Sequence, residues 1–393
     1  MATRDSALTL LAALVLASHA VGQVGRSPAP RPAVELPPRE VGDPTPGQAE
    51  FHVKHQPHAF EAPFRVLDNV EGDDVDLLSY PIKPLAVAPN HMLWALNTHN
   101  SEVAGFQTLT GQPTRVFSVP WGPVSLEFWV SSVDSHNELL VVTRGTHGLT
   151  RLDPLSGAIL GYLALPAEPG GTLLVGDHLF VACSALDQVV EIDLLTNTVF
   201  DEFEIDTTRH LLFLSSDGAG NVLVSPLLSG NNTMPRRSNV AGSAQSDPGG
   251  NVLDMSLPTT ADVGLPDEDL FRIVPGATPN TGHVEVAAKG VGTMLFAHGV
   301  NPVTGKLWVL NTNSVNADPV LDSEPEVRGL FSVNRVTLVT LPGLGGPPAT
   351  SHTEIDLDAV PPAPVGKPFG LTFASFGLAL IVGTLTDNVR PSE

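Results

Sequence analysis

The chain predicts an all-β fold, a β-propeller of four-stranded antiparallel blades. The first observation behind this is a stretch that the sequence keeps rewriting. Residues 178–205 read as a short apolar strand (179–182), a polar turn (183–187) and a second strand (188–192). A tight turn follows at Leu195-Thr196-Asn197, and then a third strand, 198–205. In that strand Phe200, Phe203 and Ile205 interleave with Asp201, Glu202 and Glu204, the alternation of half-buried antiparallel strands. The second observation is the period. Copies recur with Trp94, Leu140, Phe180 and Trp308 in one position, at steps of roughly 40–45 residues, the spacing of propeller blades. Residues 221–232 form a weaker copy and 379–389 another, giving about six recognisable blades. The third is composition: 36 Gly, 36 Pro and 42% hydrophobic residues suit short strands, many turns and an ample core. A single blade cannot bury both faces of its sheet, so neighbours must stack around a central channel.

Taken in order, residues 1–22 carry Arg4, an apolar run over 7–17 and small residues at Ser18, Ala20 and Gly22. That is the pattern of a secretory signal peptide, too short for a membrane anchor. Residues 23–59 are a proline-rich linker and lead-in. Its His52, His55 and His58 are spaced for one helical face, but Pro57 opposes a helix, so a solvated lead-in is expected. Residues 68–76, DNVEGDDVD, gather hard oxygen donors without the EF-hand spacing and are expected to be an exposed acidic turn. The propeller spans 60–393. Its channel-lining strands are expected at 84–88, 123–130, 172–175, 210–214, 293–300 and 369–374.

Two insertions, 229–266 and 313–329, fall between the second and third strands of their blades. The outer strands then resume at 269–275 with 282–288, and within 330–341. Loops of this length are usually functional or disordered. The first insertion carries Arg236-Arg237, an adjacent basic pair suited to a partner's carboxylate or phosphate, and the sequon Asn231-Asn232-Thr233. Cys183 is the only cysteine, which excludes an intramolecular disulfide and a Cys₂ metal site. With 20 Lys and Arg against 42 Asp and Glu, the net charge of −22 argues against nucleic acid and anionic membranes as partners.

LWALNTHNSEVAGFQTLTG (93–111), LFVACSALDQVVEIDLLTN (179–197) and LWVLNTNS (307–314) resemble the bacterial YVTN-type β-propeller repeat. Trp94 and Trp308 hold that repeat's aromatic position and Asn97 and Asn311 its Asn. Asp153 and Asp193 hold its Asp, and Gly111 and Gly157 its turn Gly. SPLLSGNNT (225–233) and GLPDEDLFRI (264–273) are similar to segments of exported propellers that precede a cytochrome-peroxidase-like haem domain. Such a domain needs C-x-x-C-H, which one cysteine cannot supply. The resemblance implies seven blades. The chain therefore reads as an incomplete copy, or as one whose last blade is completed by residues 64–70.

Two functions follow from different classes. The first is an exported, periplasmic or extracellular, non-enzymatic binding module. It would be a monomer without membrane insertion or cofactor, taking a protein or small polar ligand at one propeller face. The alternative is a Ca-dependent lactonase-type hydrolase, which needs oxygen ligands on several inner strands. Glu127, His210 and His298 are the only ionisable residues in the predicted inner strands, so binding is favoured and no metal site is expected. Candidate ligand-binding residues are Glu127, His210 and His298 near the channel and Asn97 and Asn311 at strand ends, with Arg236 and Arg237 as a partner loop.

Overall fold

The computed structural model describes residues 81–205, 209–229, 236–239, 251–254, 268–313, 327–328, 333–357, 368–383 and 389–392. The signal segment, the histidine lead-in, the acidic stretch 68–76, residues 64–70 and the sequon lie outside them. Three blades are uninterrupted meanders. Blade 1 is β1 (Leu85–Val87), β2 (Met92–Asn97), β3 (Glu102–Gln107) and β4 (Pro113–Ser118). Blade 2 is β5 (Pro123–Val130), β6 (Asn137–Thr143), β7 (Gly148–Leu152) and β8 (Ile159–Ala164). Blade 3 is β9 (Pro169–Val175), β10 (His178–Cys183), β11 (Gln188–Asp193) and β12 (Thr198–Glu204).

The next two blades carry the insertions. Blade 4 pairs β13 (Arg209–Ser216) with β14 (Val222–Leu228), then β17 (Leu270–Val274) with β18 (His283–Ala288). Between them lie β15 (Arg236–Asn239) and β16 (Asn251–Asp254) of the first insertion. Blade 5 runs β19 (Met294–Val300), β20 (Leu307–Asn313), β22 (Val333–Val339) and β23 (Thr353–Asp356), with β21 (Val327–Arg328) in the second insertion. Blade 6 has three described strands: β24 (Pro368–Phe373), β25 (Ala379–Gly383) and β26 (Val389–Ser392). The inner strands fall where the sequence places them. The fourth strand of blade 5 does not. It follows a Gly- and Pro-rich stretch, 342–348, and lies at Thr353–Asp356 rather than within 330–341.

The core is a series of layers between blades, and the period of two along each strand explains it. On β6, Leu139 and Val141 pack with Trp94, Leu96 and Val103 of blade 1. The alternate residues Leu140 and Val142 pack with Leu179, Val181 and Ile192 of blade 3. On β10, Phe180 and Ala182 face Val222, Val224 and Phe271 of blade 4. The repeat position thus always presses on the following blade: Trp94 on blade 2, Leu140 on blade 3, Phe180 on blade 4 and Trp308 against Ala379 and Ile381 of blade 6. Such strands are buried on both sides and must be apolar throughout.

Antiparallel order divides the connections between two faces. Hairpins joining strands one to two and three to four lie on one, here the turn face. Loops joining strands two to three, and the connectors between blades, lie on the other. Both insertions join strand two to strand three, so both rise from that second, insertion face.

Candidate functional site

The two insertions meet. Strand β15 pairs antiparallel with β16, and β16 pairs parallel with β21, Leu253 opposite Val327 and Asp254 opposite Arg328. A three-stranded sheet therefore contains segments from two blades, and Arg236 and Arg237 lie on its strand β15. Both insertions are long polar stretches without a blade repeat, so no periodic signal could have announced this pairing.

The stems of both insertions also converge on one connector, residues 289–293, between blades 4 and 5. Asp269, fully buried where the first insertion re-enters its blade, accepts the Val291 N–H through Oδ2 at 2.5 Å. The Ser229 N–H, at the other stem, donates to Thr293 O at 2.9 Å. From the second insertion, Arg335 donates through Nη2 to Val291 O at 2.7 Å and through Nε to Asn311 Oδ1 at 2.9 Å. Asn311 Nδ2 donates to Thr337 Oγ1 at 2.9 Å, and Thr293 Oγ1 donates to Thr312 O at 2.9 Å. Burial lowers the pKa of Arg335, while Glu354, 2.7 Å from its Nη1, and Asp269 act against that shift. Gly292 is required at this point. A Cβ there would come within 2.6 Å of Asn311 Oδ1. Charged groups taken from water need this degree of pairing.

The expected site residues distribute unevenly around this arrangement. Asn311 belongs to the stem cluster. Asn97 ends β2 and accepts the Asn100 N–H at 3.4 Å in the turn joining strands two and three of blade 1, on the insertion face. His210 is exposed on the same face, with φ of 61° and its N–H donated to Asp187 Oδ1 at 2.9 Å. Glu127 and His298 lie deeper. Glu127 accepts from Lys83 Nζ and, at 2.9 Å, from Thr172 Oγ1, so that it joins three segments near the channel. His298 accepts from Ser215 Oγ at 2.6 Å through Nδ1 and donates from Nε2 to Phe213 O at 3.1 Å. Complete burial holds its pKa down at about 4 and the ring neutral. Among the described residues no hydrogen bond or ion pair joins any two of these five.

Three buried groups escaped the sequence reading. Arg151, Arg272 and Arg335 each sit in the third strand of a blade. Arg151 forks onto Glu138 at 2.6 and 2.9 Å, and Arg272 reaches Glu285 at 2.6 Å. A lone Arg inside GLTRL, LFRIV and VNRVTLV was the available signal. Glu191 is a further case. It is buried on β11 opposite Asp201, with Oε1 2.8 Å from His178 Nδ1 and Oε2 lacking a hydrogen bond. Burial, and secondly the Asp201 charge, push its pKa up to about 7. Among the described residues no cluster of three or more His, Cys, Asp or Glu is arranged to hold a metal ion.

No family model and no curated protein matches the chain. Among solved structures it is similar to hydrazine synthase of Kuenenia stuttgartiensis, with TM-score 0.52 and 15% identity over 81% of this chain and 77% of that one. It is also similar to the WD40 domain of Toxoplasma gondii coronin (TM-score 0.49, 11% identity, 80% and 68% covered). A third is virginiamycin B lyase of Staphylococcus aureus (TM-score 0.45, 12% identity, 78% and 82% covered). Likeness at these identities concerns fold alone. With the antiparallel blades packed one on the next as described above, the chain is a β-propeller.

Proposed function

We propose that this chain is an exported β-propeller of the YVTN-repeat type that acts without catalysis, as a monomer, and recognises a protein or small polar ligand at its insertion face. The observation that carries this reading is the joining of two insertions from neighbouring blades into one small sheet, with stems that share a buried cluster. Blade closure needs neither insertion, and ordering long polar loops costs conformational entropy, so contact with a partner is the economical explanation. Arg236 and Arg237 on β15 suit a carboxylate or phosphate on that partner. The rival, a Ca-dependent lactonase-type hydrolase, needs free acid–base and metal-binding groups near the channel. Glu127 and His298 are instead engaged within the fold by Lys83, Thr172, Ser215 and Phe213.

The test is capture from an exported fraction, read by mass spectrometry, with the full chain and a variant lacking residues 239–247. The deletion is expected to leave thermal unfolding nearly unchanged and to abolish capture. Undiminished capture by the variant, or lactone hydrolysis that EDTA abolishes, contradicts the reading.

A further inference from the structure

The turn face carries one hairpin turn five times over. It spans 107–111, 131–135, 153–157, 193–197 and 301–305. In each, the fifth residue has positive φ: Gly111 at 66°, Ser135 at 60°, Gly157 at 74°, Asn197 at 56° and Gly305 at 67°. In four of them the fifth N–H bonds the first carbonyl at 2.8–3.0 Å. In four, all but 107–111, the first side chain also accepts the third N–H, as Asp153 Oδ1 does from Leu155 at 2.8 Å and Asn301 Oδ1 from Val303 at 2.9 Å. Positions one and five therefore fix the turn, and the third points outward under no backbone demand.

That unconstrained position is aliphatic every time: Leu109, Val133, Leu155, Leu195 and Val303, between 48% and 76% exposed. Phe376 adds an exposed aromatic in the first turn of blade 6, on the same face. Charge is nearly absent from the tips. The central three residues of the five turns include one ionisable group, Asp134, which is bound to His136 Nδ1 at 2.5 Å. The carboxylates of this face sit at the bases of the turns and between them rather than at the tips: Asp153, Asp177 and Asp193 accept the N–H groups of Leu155, Ser132 and Leu195.

We propose that the turn face docks peripherally onto a zwitterionic lipid surface, the aliphatic tips entering the headgroup layer together. The absence of charge at the tips suits a neutral surface, whereas a basic partner would be met by acidic tips and anionic lipid is repelled by the chain as a whole. The tips also lack the Trp, Tyr and Arg that anchor protein interfaces, and offer side chains that gain by immersion in any apolar medium. This docking is independent of recognition at the opposite face and requires no membrane span.

The probe is a phosphatidylcholine vesicle, with flotation as the readout. The full chain is expected to float with these vesicles, and less well when phosphatidylglycerol is added. Each of Leu109→Ser, Leu155→Ser, Leu195→Ser and Val303→Ser should lower partitioning roughly fivefold, and the fourfold variant should not float. Leu186→Ser, on the insertion face, should change nothing. Unchanged thermal unfolding of the fourfold variant excludes misfolding as the cause. Three results overturn the proposal: no flotation of the full chain, equal flotation of the fourfold variant, or a tip-dependent dimer in solution without vesicle binding.

Discussion

The two faces of this propeller solve the same problem of joining strands in opposite ways. On the turn face most joints are minimal, the main exception being the stretch 340–352 between β22 and β23. Five share a residue at positive φ in the same place, and in four of them a side chain caps the turn. On the insertion face two joints have grown past thirty and fifteen residues, and their stems rest on buried charge, Asp269 and Arg335, and on the neutral amide of Asn311, which accepts from Arg335. Local hydrogen bonds suffice to hold a short turn. A long loop that must present a fixed surface needs anchors within the core, and buried ionic groups serve only as a complete set.

The largest expected effect tests that contrast. Arg335→Leu leaves Asn311 Oδ1, Val291 O and the Asp269 carboxylate without their cation, and should lower stability by about 3 kcal/mol in urea unfolding. A loss below about 1 kcal/mol would remove the claim that the insertion face is anchored electrostatically.

The interior between the faces responds to pH through two groups of opposite sign. Folding lowers the His298 pKa from 6.5 to about 4, so its contribution is complete above pH 6.5 and is lost as pH falls through 4. Folding raises the Glu191 pKa from 4.5 to about 7, so its contribution is complete below pH 4.5 and is lost as pH rises through 7. Each is worth on the order of 3 kcal/mol, and across pH 4.5–6.5 they oppose one another. Glu191→Gln should therefore uncover a rise in stability with pH, and His298→Gln a fall, both measured by urea unfolding between pH 4 and 8. Parallel slopes in the two variants would contradict the assignment.

Smaller effects follow at single positions. Gly292→Ala places a methyl group against Asn311 Oδ1 and should cost about 1–3 kcal/mol. Leu155→Ser, at an unconstrained tip, should stay within about 0.5 kcal/mol of the parent. A larger loss there would show that the turn face also packs into the core. Cys183 is buried, and burial lifts its thiol to about 12, so it should resist a thiol reagent at pH 8 until denaturant is added.

The blades were legible because each depends on a repeated local demand. Trp94, Leu140, Phe180 and Trp308 recur because every blade must fill the gap to the next, and the turn residues recur because one hairpin geometry is reused. The candidate site was legible only in part. The expected residues Asn97 and His210 lie on the insertion face, and Asn311 bonds Arg335 at the stem of the second insertion. The meeting of β16 with β21 joins residues far apart in sequence and obeys no period. Asp269 and Arg335 gave no sign of being partners, because their common contact is backbone, the N–H and C=O of Val291. β23 was misplaced because a Gly- and Pro-rich stretch separates it from β22.

The central claim is that two insertions from separate blades form one surface. Backbone amide exchange at Val327 and Arg328 tests it most directly, comparing the full chain with a variant in which residues 236–254 are replaced by a Gly-Ser linker. Successive N–H groups of a strand point to opposite sides, so removing β15 and β16 is expected to strip protection from whichever of the two amides faces β16, while β22 keeps its own. If Val327 and Arg328 exchange at the same rate in both proteins, the two insertions are independent and do not form one surface.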